Sequence, residues 1–244
     1  QEDSMASEVK TNKISPATGT DVTLGDASDT FTIPASATLD VNGTIDVTGA
    51  ITTGFPAGGL AGVQVYTTAS NTWTKATRES ALGITITKVI VEAQGAGGSG
   101  SATGSGYGGG AAGGFSKKLV DVSSVSASTI TVGAGGAAIA ANAGAGAAGG
   151  LSSWADSVNT DVVGNGGGGK PASATNATGG TATGGDINIV GGVGTITTGG
   201  SNIFGDGASY ATAGQGYGGG GGYGHIAYGS GAGADGIVIV WEYQ

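Results

Sequence analysis

The chain has 244 residues, 55 of them glycine and four proline, with no cysteine, one histidine and a formal net charge of −9. The scarcity of proline excludes a collagen triple helix, and the lack of cysteine excludes disulfide scaffolds, thiol enzymes and zinc fingers. The excess of acidic over basic residues predicts no nucleic-acid partner, and no apolar stretch approaches the ~20 residues needed for membrane insertion.

Residues 1–20 are interpreted as an N-terminal segment that attaches the chain to other proteins. Met5 is the only methionine and a candidate native initiator, in which case residues 1–4 were added or reflect an upstream start. No basic stretch is followed here by an apolar one, so we expect no secretory signal.

Residues 21–62 are predicted to form a trimeric β-shaft. Short alternating apolar pairs run from Val22 to Ile51, separated by turn residues such as Gly25 and Gly43. Strands of three residues with one apolar face form no core alone, so they bury that face by stacking or by wrapping around other chains. We expect a homotrimer; a small monomeric β-meander is the alternative.

Residues 63–244 are predicted to form one glycine-rich tip domain that is mainly β. Residues 63–94 look like ordinary β structure, because branched residues alternate with polar ones. The same pattern returns at intervals between the glycine tracts. The predicted strands are 63–66, 84–91, 119–122, 130–132, 187–190 and 237–241.

The glycine content is concentrated in residues 95–236, which hold 46 of the 55 glycines. In 95–114 every third residue is small, starting at Ala96, and the positions between are mostly glycine. Glycine disfavours an α-helix, whereas a polyproline-II helix has three residues per turn. We therefore predict a polyproline-II glycine-helix bundle with little or no α-helix. Disorder is the alternative, but the chain is 38% hydrophobic.

A seven-residue pattern occurs twice, at 104–110 and 214–220, and both copies read G-x-G-x-x-G. A dinucleotide site requires a strand before this motif, a helix after it and an acid ~20 residues on. No helix-forming sequence follows either copy. We therefore predict no cofactor, and we interpret the motif as part of the bundle.

Several blocks resemble the glycine-rich domain of phage tail-fibre and tail-tip proteins. Residues 66–74 (YTTASNTWT) form a threonine–tryptophan lead-in, and 86–98 form a strand that runs into a glycine tract. Over residues 64–244, the further similar blocks are 113–116, 129–136 and 233–240. Residues 14–20, 24–26 and 32–39 are similar to lead segments of tail fibres in marine phages. The resemblance implies an extracellular virion appendage whose N-terminus binds other tail proteins and whose tip contacts a host-surface glycan or outer-membrane protein.

No catalytic constellation is recognisable, so we predict that the chain is not an enzyme. His225 has no nucleophile or acid beside it in the sequence, and the acids between residues 122 and 236 are isolated from one another. Residues 230–237 nearly fit a calcium-binding nonapeptide, but that motif works in tandem copies. We expect no metal site.

Aromatic residues in the interruptions of the glycine tracts are the binding candidates. Specificity on a rigid scaffold resides in its connecting turns, and exposed aromatic rings provide a large contact area at low entropic cost. In the alternative, these rings cover the glycine array, as we favour for Trp154. A structural fibre without a receptor and an ice-binding protein are the other functions considered. The predicted receptor-binding residues are Asn202, Phe204, Asp206, Tyr210, Tyr223, His225 and Tyr228.

Overall fold

The structure, a computed structural model, describes residues 59–104, 107–173 and 175–244, all within one compact unit, Phe55–Gln244. The predicted attachment segment 1–20 and most of the predicted shaft, 21–58, lie outside the described residues. Ten strands and one helix are found in the described part. They are β1 Leu60–Tyr66, β2 Asn71–Thr74, α1 Lys75–Leu82, β3 Lys88–Gln94, β4 Phe115–Asp121, β5 Ala127–Thr131, β6 Ser152–Ala155, β7 Val162–Gly164, β8 Ala182–Thr183, β9 Ile187–Ile189 and β10 Ile237–Tyr243.

The strands form two antiparallel five-stranded sheets. The first has the order β1-β10-β3-β4-β9 and the second has the order β2-β5-β6-β7-β8. The central strands β3 and β10 are rich in valine and isoleucine and pair over seven residues, from Ile237 with Gln94 to Tyr243 with Lys88. The prediction of a mainly β domain is confirmed.

The hydrophobic core lies between the two sheets. Trp73 of β2 and Trp154 of β6 are fully buried, with ring centroids 5.2 Å apart. They meet the alternate valines of the first sheet, which include Val91 and Val240. Trp154 is therefore a core residue, and its indole Nε1 donates a hydrogen bond to Asp156 at 2.8 Å.

The helix α1 was not predicted, and the interpretation of 63–94 as β throughout is wrong for residues 75–82. The sequence KATRESAL contains good helix formers, and the helix ends at Gly83, which has a left-handed φ of 69° and donates to the Glu79 carbonyl. Arg78 of this helix reaches Glu242 of β10. The helix is thus tied to the first sheet by an ion pair at 2.7 Å between a partly exposed arginine and a fully buried glutamate.

Extended glycine-rich segments continue from the ends of the strands and form what we call the glycine array. Segment 95–102 follows β3 and donates backbone hydrogen bonds to three neighbours in rotation. Residues 95, 98 and 101 donate to segment 107–114, residues 96, 99 and 102 to segment 144–150, and residues 97 and 100 to segment 230–236, with N···O distances of 2.8–3.3 Å. A β-strand bonds only to neighbours in its sheet, whereas this segment bonds in three directions.

Close approach of the backbones explains why glycine dominates these segments. At Gly95, Gly97, Gly98 and Gly100, an added Cβ would lie within 3.0 Å of backbone atoms of a neighbouring segment. None of these four glycines has a positive φ, so space and not backbone conformation requires glycine. Every third position can carry a small side chain, which is fully buried. These residues are Ala96, Ser99 and Ala102.

Strand boundaries differ from the prediction where pairing overrides the local pattern. The predicted strand 84–91 is observed at Lys88–Gln94, because pairing with β4 and β10 extends it through Gln94. Ile86 instead lies outside the strand and donates its N–H to the Glu79 carboxylate at 2.8 Å. The short strands β6, β7 and β8 were not predicted, since two to four residues are too few to show a clear period-two alternation.

Candidate functional site

The candidate site lies where the glycine segments turn, at the end remote from the sheets. Segment 95–102 leaves β3 at residue 95, and at its far end Ser101 bridges to Gly108. Gly224 donates to the Ser101 carbonyl at 2.8 Å, and Ala211 donates to the Tyr223 carbonyl at 2.7 Å. Three connections therefore converge at one end of the array: the described residues 103, 104 and 107, the turn at 209–212 and the turn at 223–228.

Four tyrosines and the single histidine of these turns form a connected set, which we call the tyrosine cluster. The Tyr210 ring packs edge-on against Tyr223 and Tyr228, with centroids 5.2 Å and 5.9 Å apart. The Tyr107 ring lies 5.5 Å from Tyr223 and 6.3 Å from the His225 ring. Edge-to-face arrangements at these distances are favoured by the ring quadrupoles, so the rings hold one another in place.

The cluster is fixed by backbone and yet open to solvent. His225 and Tyr228 exchange backbone hydrogen bonds of 2.8 and 3.0 Å across a tight turn. Tyr228 is 59% exposed and Tyr210 is 42% exposed, whereas Tyr223 between them is half-buried. An exposed group of large rings on a rigid frame is the usual form of a binding surface.

The surroundings of Tyr210 favour its neutral form. Burial raises the pKa of the Tyr210 phenol above its ordinary value, and the charges of Tyr228 and Tyr223 raise it further. The hydroxyl therefore stays protonated well above neutral pH and can both donate and accept hydrogen bonds. The described residues of the three turns contain no aspartate, glutamate, lysine or arginine. The surface suits an uncharged polar ligand better than an ion.

The structure places the other three predicted residues apart from the tyrosine cluster, in the loop around residues 202–206. The Phe204 ring packs edge-on against the buried Phe115 at the start of β4, with centroids 5.7 Å apart. The Asn202 Oδ1 atom accepts a hydrogen bond from the Phe204 N–H at 2.8 Å. Asp206 is exposed, and its carbonyl accepts from Gln215 at 3.0 Å. The seven predicted residues therefore occupy two regions.

Tyr107 belongs to the cluster and was missing from the predicted set. It lies in the first copy of the repeated seven-residue pattern, and Tyr217 holds the same position in the second copy. Tyr217 is half-buried beside the 202–206 loop and donates its N–H to the Phe204 carbonyl at 3.1 Å. Both tyrosines are visible in the repeat, but only the folded chain shows that Tyr107 joins the cluster and Tyr217 does not.

In the described ranges, no group of three or more histidine, cysteine, aspartate or glutamate side chains is arranged to hold a metal ion. The described part of the chain also has no helix long and apolar enough to cross a membrane. Comparison of the sequence with protein-family models and with curated proteins gives no match.

Proposed function

We propose that this chain is a non-enzymatic tail-fibre or appendage protein of a phage virion, and that it binds a receptor on the host-cell surface through its tip. The observation that carries the proposal is the exposed tyrosine cluster at the far end of a rigid glycine array. A scaffold of glycine and alanine offers little besides backbone. Recognition then falls to the turns, and here three turns bring their aromatic rings together.

We further propose that the glycine segments are polyproline-II helices packed as a bundle. The three-residue rotation of hydrogen bonds in segment 95–102 supports this, since a polyproline-II helix has three residues per turn. Such a bundle is stiff because each segment is tied to several neighbours. A stiff support holds the cluster in one geometry and lowers the entropic cost of binding.

The chemistry of the cluster favours a neutral sugar face or an uncharged loop of an outer-membrane protein. Tyrosine rings supply apolar area for stacking, and their hydroxyls and the His225 nitrogens supply directional hydrogen bonds. Phe204 is left out of the proposed surface because its ring packs against buried Phe115. Asn202 and Asp206 lie in the same loop as Phe204 and form a separate candidate contact.

We also propose that the chain is a homotrimer joined through residues 21–62 and attached through its N-terminus to other tail proteins. The alternating apolar pairs from Val22 to Ile51 support this, because short strands with one apolar face form no core alone. Trimerisation would present three tyrosine clusters on one fibre. Multivalent display raises avidity when several receptors can be engaged together.

Replacing Tyr228 by alanine is expected to weaken binding of fluorescently labelled protein to host cells by about tenfold or more, the effect of losing a contact of at least 1.4 kcal/mol. Its melting temperature should stay near that of the wild type, because the ring is 59% exposed. Cell-bound fluorescence over a protein titration gives the binding curve. Thermal unfolding of the same sample gives the stability.

Tyr217→Ala is the control, since it removes the same side chain at a position that lies outside the cluster, beside the 202–206 loop. We expect it to bind like the wild type once folded. If Tyr228→Ala lowers the melting temperature while the surviving folded protein binds normally, the rings are a protective cover and the receptor role is wrong.

A further inference from the structure

The first sheet presents a second apolar face, on the side opposite the core. Core residues such as Val91 and Val240 alternate along β3 and β10 with residues that point the other way. Strand register aligns these outward residues in two rows that cross the sheet. The first row is Val63, Trp241, Ile90 and Leu119, and the second is Val65, Ile239, Glu92, Lys117 and Ile187.

Seven of these nine residues are apolar, and those at the margins are largely exposed. The exposed fractions are 56% at Val65, 52% at Leu119 and 50% at Ile187. An antiparallel sheet with one solvated face normally alternates apolar and polar residues, whereas strands covered on both faces read as continuous apolar runs. The run IVIVW of β10 and the run VIV of β3 have the second pattern. This face is therefore built to be covered.

The charged atoms in these two rows already have partners. Lys117 Nζ lies 2.8 Å from Glu92 Oε1, and the Trp241 indole donates to Glu92 Oε2 at 3.2 Å. Covering these rows would therefore not bury an unpaired charge, which would cost binding free energy in an interface. The face offers apolar area around one neutralised pair, a composition typical of the centre of a subunit interface.

We propose that this outer face of the first sheet packs against the same domain of a second copy of the chain. The inference rests on the homotrimer proposed above. The 58 residues that precede the described part lead directly into β1, which carries Val63 and Val65 of this face. Chains joined through those residues hold their outer faces at high effective concentration, so a weak apolar contact between copies is populated.

The test uses the absence of cysteine in the full chain. Val65→Cys and Leu119→Cys each place one thiol on the face. Val158→Cys is the matched control, because Val158 is as exposed as Val65, at 56%, but lies in the loop after β6 of the other sheet. A charged maleimide reports thiol access, a short bis-maleimide reports proximity between copies, and light scattering on the same samples reports mass.

We expect light scattering to give the mass of three chains. Labelling at positions 65 and 119 should be at least about tenfold slower than at position 158. Covalent dimers should form only with a thiol at position 65 or 119. Melting curves and full labelling after unfolding verify each variant. A trimer labelled equally fast at all three positions overturns the interface and leaves the trimer standing. Slow labelling without cross-linked dimers would mean that the chain's own residues cover the face, which overturns this proposal. A monomer mass would rule out both the interface and the trimer. Neither result bears on receptor binding.

Discussion

Gly98→Ala is expected to destabilise the protein substantially although it adds one methyl group. The new Cβ would lie within 3.0 Å of the backbone of Gly168 and Gly169, and backbone atoms cannot rotate aside as a side chain can. Overpacking costs about 1–3 kcal/mol, which exceeds the gain of about 0.4–1 kcal/mol from restricting the unfolded chain. We expect the melting temperature to fall by several degrees, at about 2–4 °C per kcal/mol for a chain of this size.

Gly104→Ala is the control for this experiment. Its added Cβ would meet only a methyl group of Ile226, an exposed side chain that can move. We expect its free energy of unfolding to stay within about 0.5 kcal/mol of wild type. Equal melting temperatures for Gly98→Ala and Gly104→Ala would show that the segments are not packed as closely as the structure indicates.

Arg78→Ala is expected to cost about 3–5 kcal/mol of unfolding free energy, because it leaves a buried carboxylate without its cation. Glu242 is fully buried and accepts from Arg78 Nε at 2.8 Å and from the second guanidinium nitrogen at 2.7 Å. After the substitution, the Glu242 carboxylate would keep the hydrogen bond from the Trp73 indole, at 2.8 Å, but would lose both bonds from Arg78. Denaturant unfolding of the full chain measures the loss.

Two further variants make the ion-pair prediction specific. Lys75→Ala removes the cation of the 3.8 Å pair with Glu79, whose side chain is 27% exposed, and should cost at most about 1 kcal/mol. Adding Glu242→Gln to Arg78→Ala should recover part of the stability, because a neutral amide is cheaper to bury than a carboxylate. A loss at Arg78 no larger than that at Lys75 would contradict the account.

The sequence was most informative where one local pattern decides the structure. The alternation in residues 237–241 predicted β10, and the three-residue register from Ala96 anticipated the buried small residues of segment 95–102. The pattern was uninformative where long-range pairing decides. The strand β6 forms because Trp154 lies in the core and because β5 and β7 pair with it on either side. The sequence Ser-Ser-Trp-Ala alone does not predict a strand.

The candidate site was predicted in part for a similar reason. Turn residues with aromatic rings are visible in the sequence, which is why Tyr210, Tyr223 and Tyr228 were chosen. Which turns meet at one end depends on how the segments are ordered in the array. Tyr107 is more than 100 residues from Tyr223 along the chain, yet its ring lies 5.5 Å away. Phe204 was chosen by the same rule but packs near the sheets.

Immunogold electron microscopy of virions, with antibodies against the full chain, tests the central claim most directly. The virions are those of the phage proposed to encode this sequence, and virions of an unrelated phage serve as the control. The account predicts gold particles at the free ends of the tail fibres or at the tail tip. Virions without label, or label confined to the capsid, would contradict it.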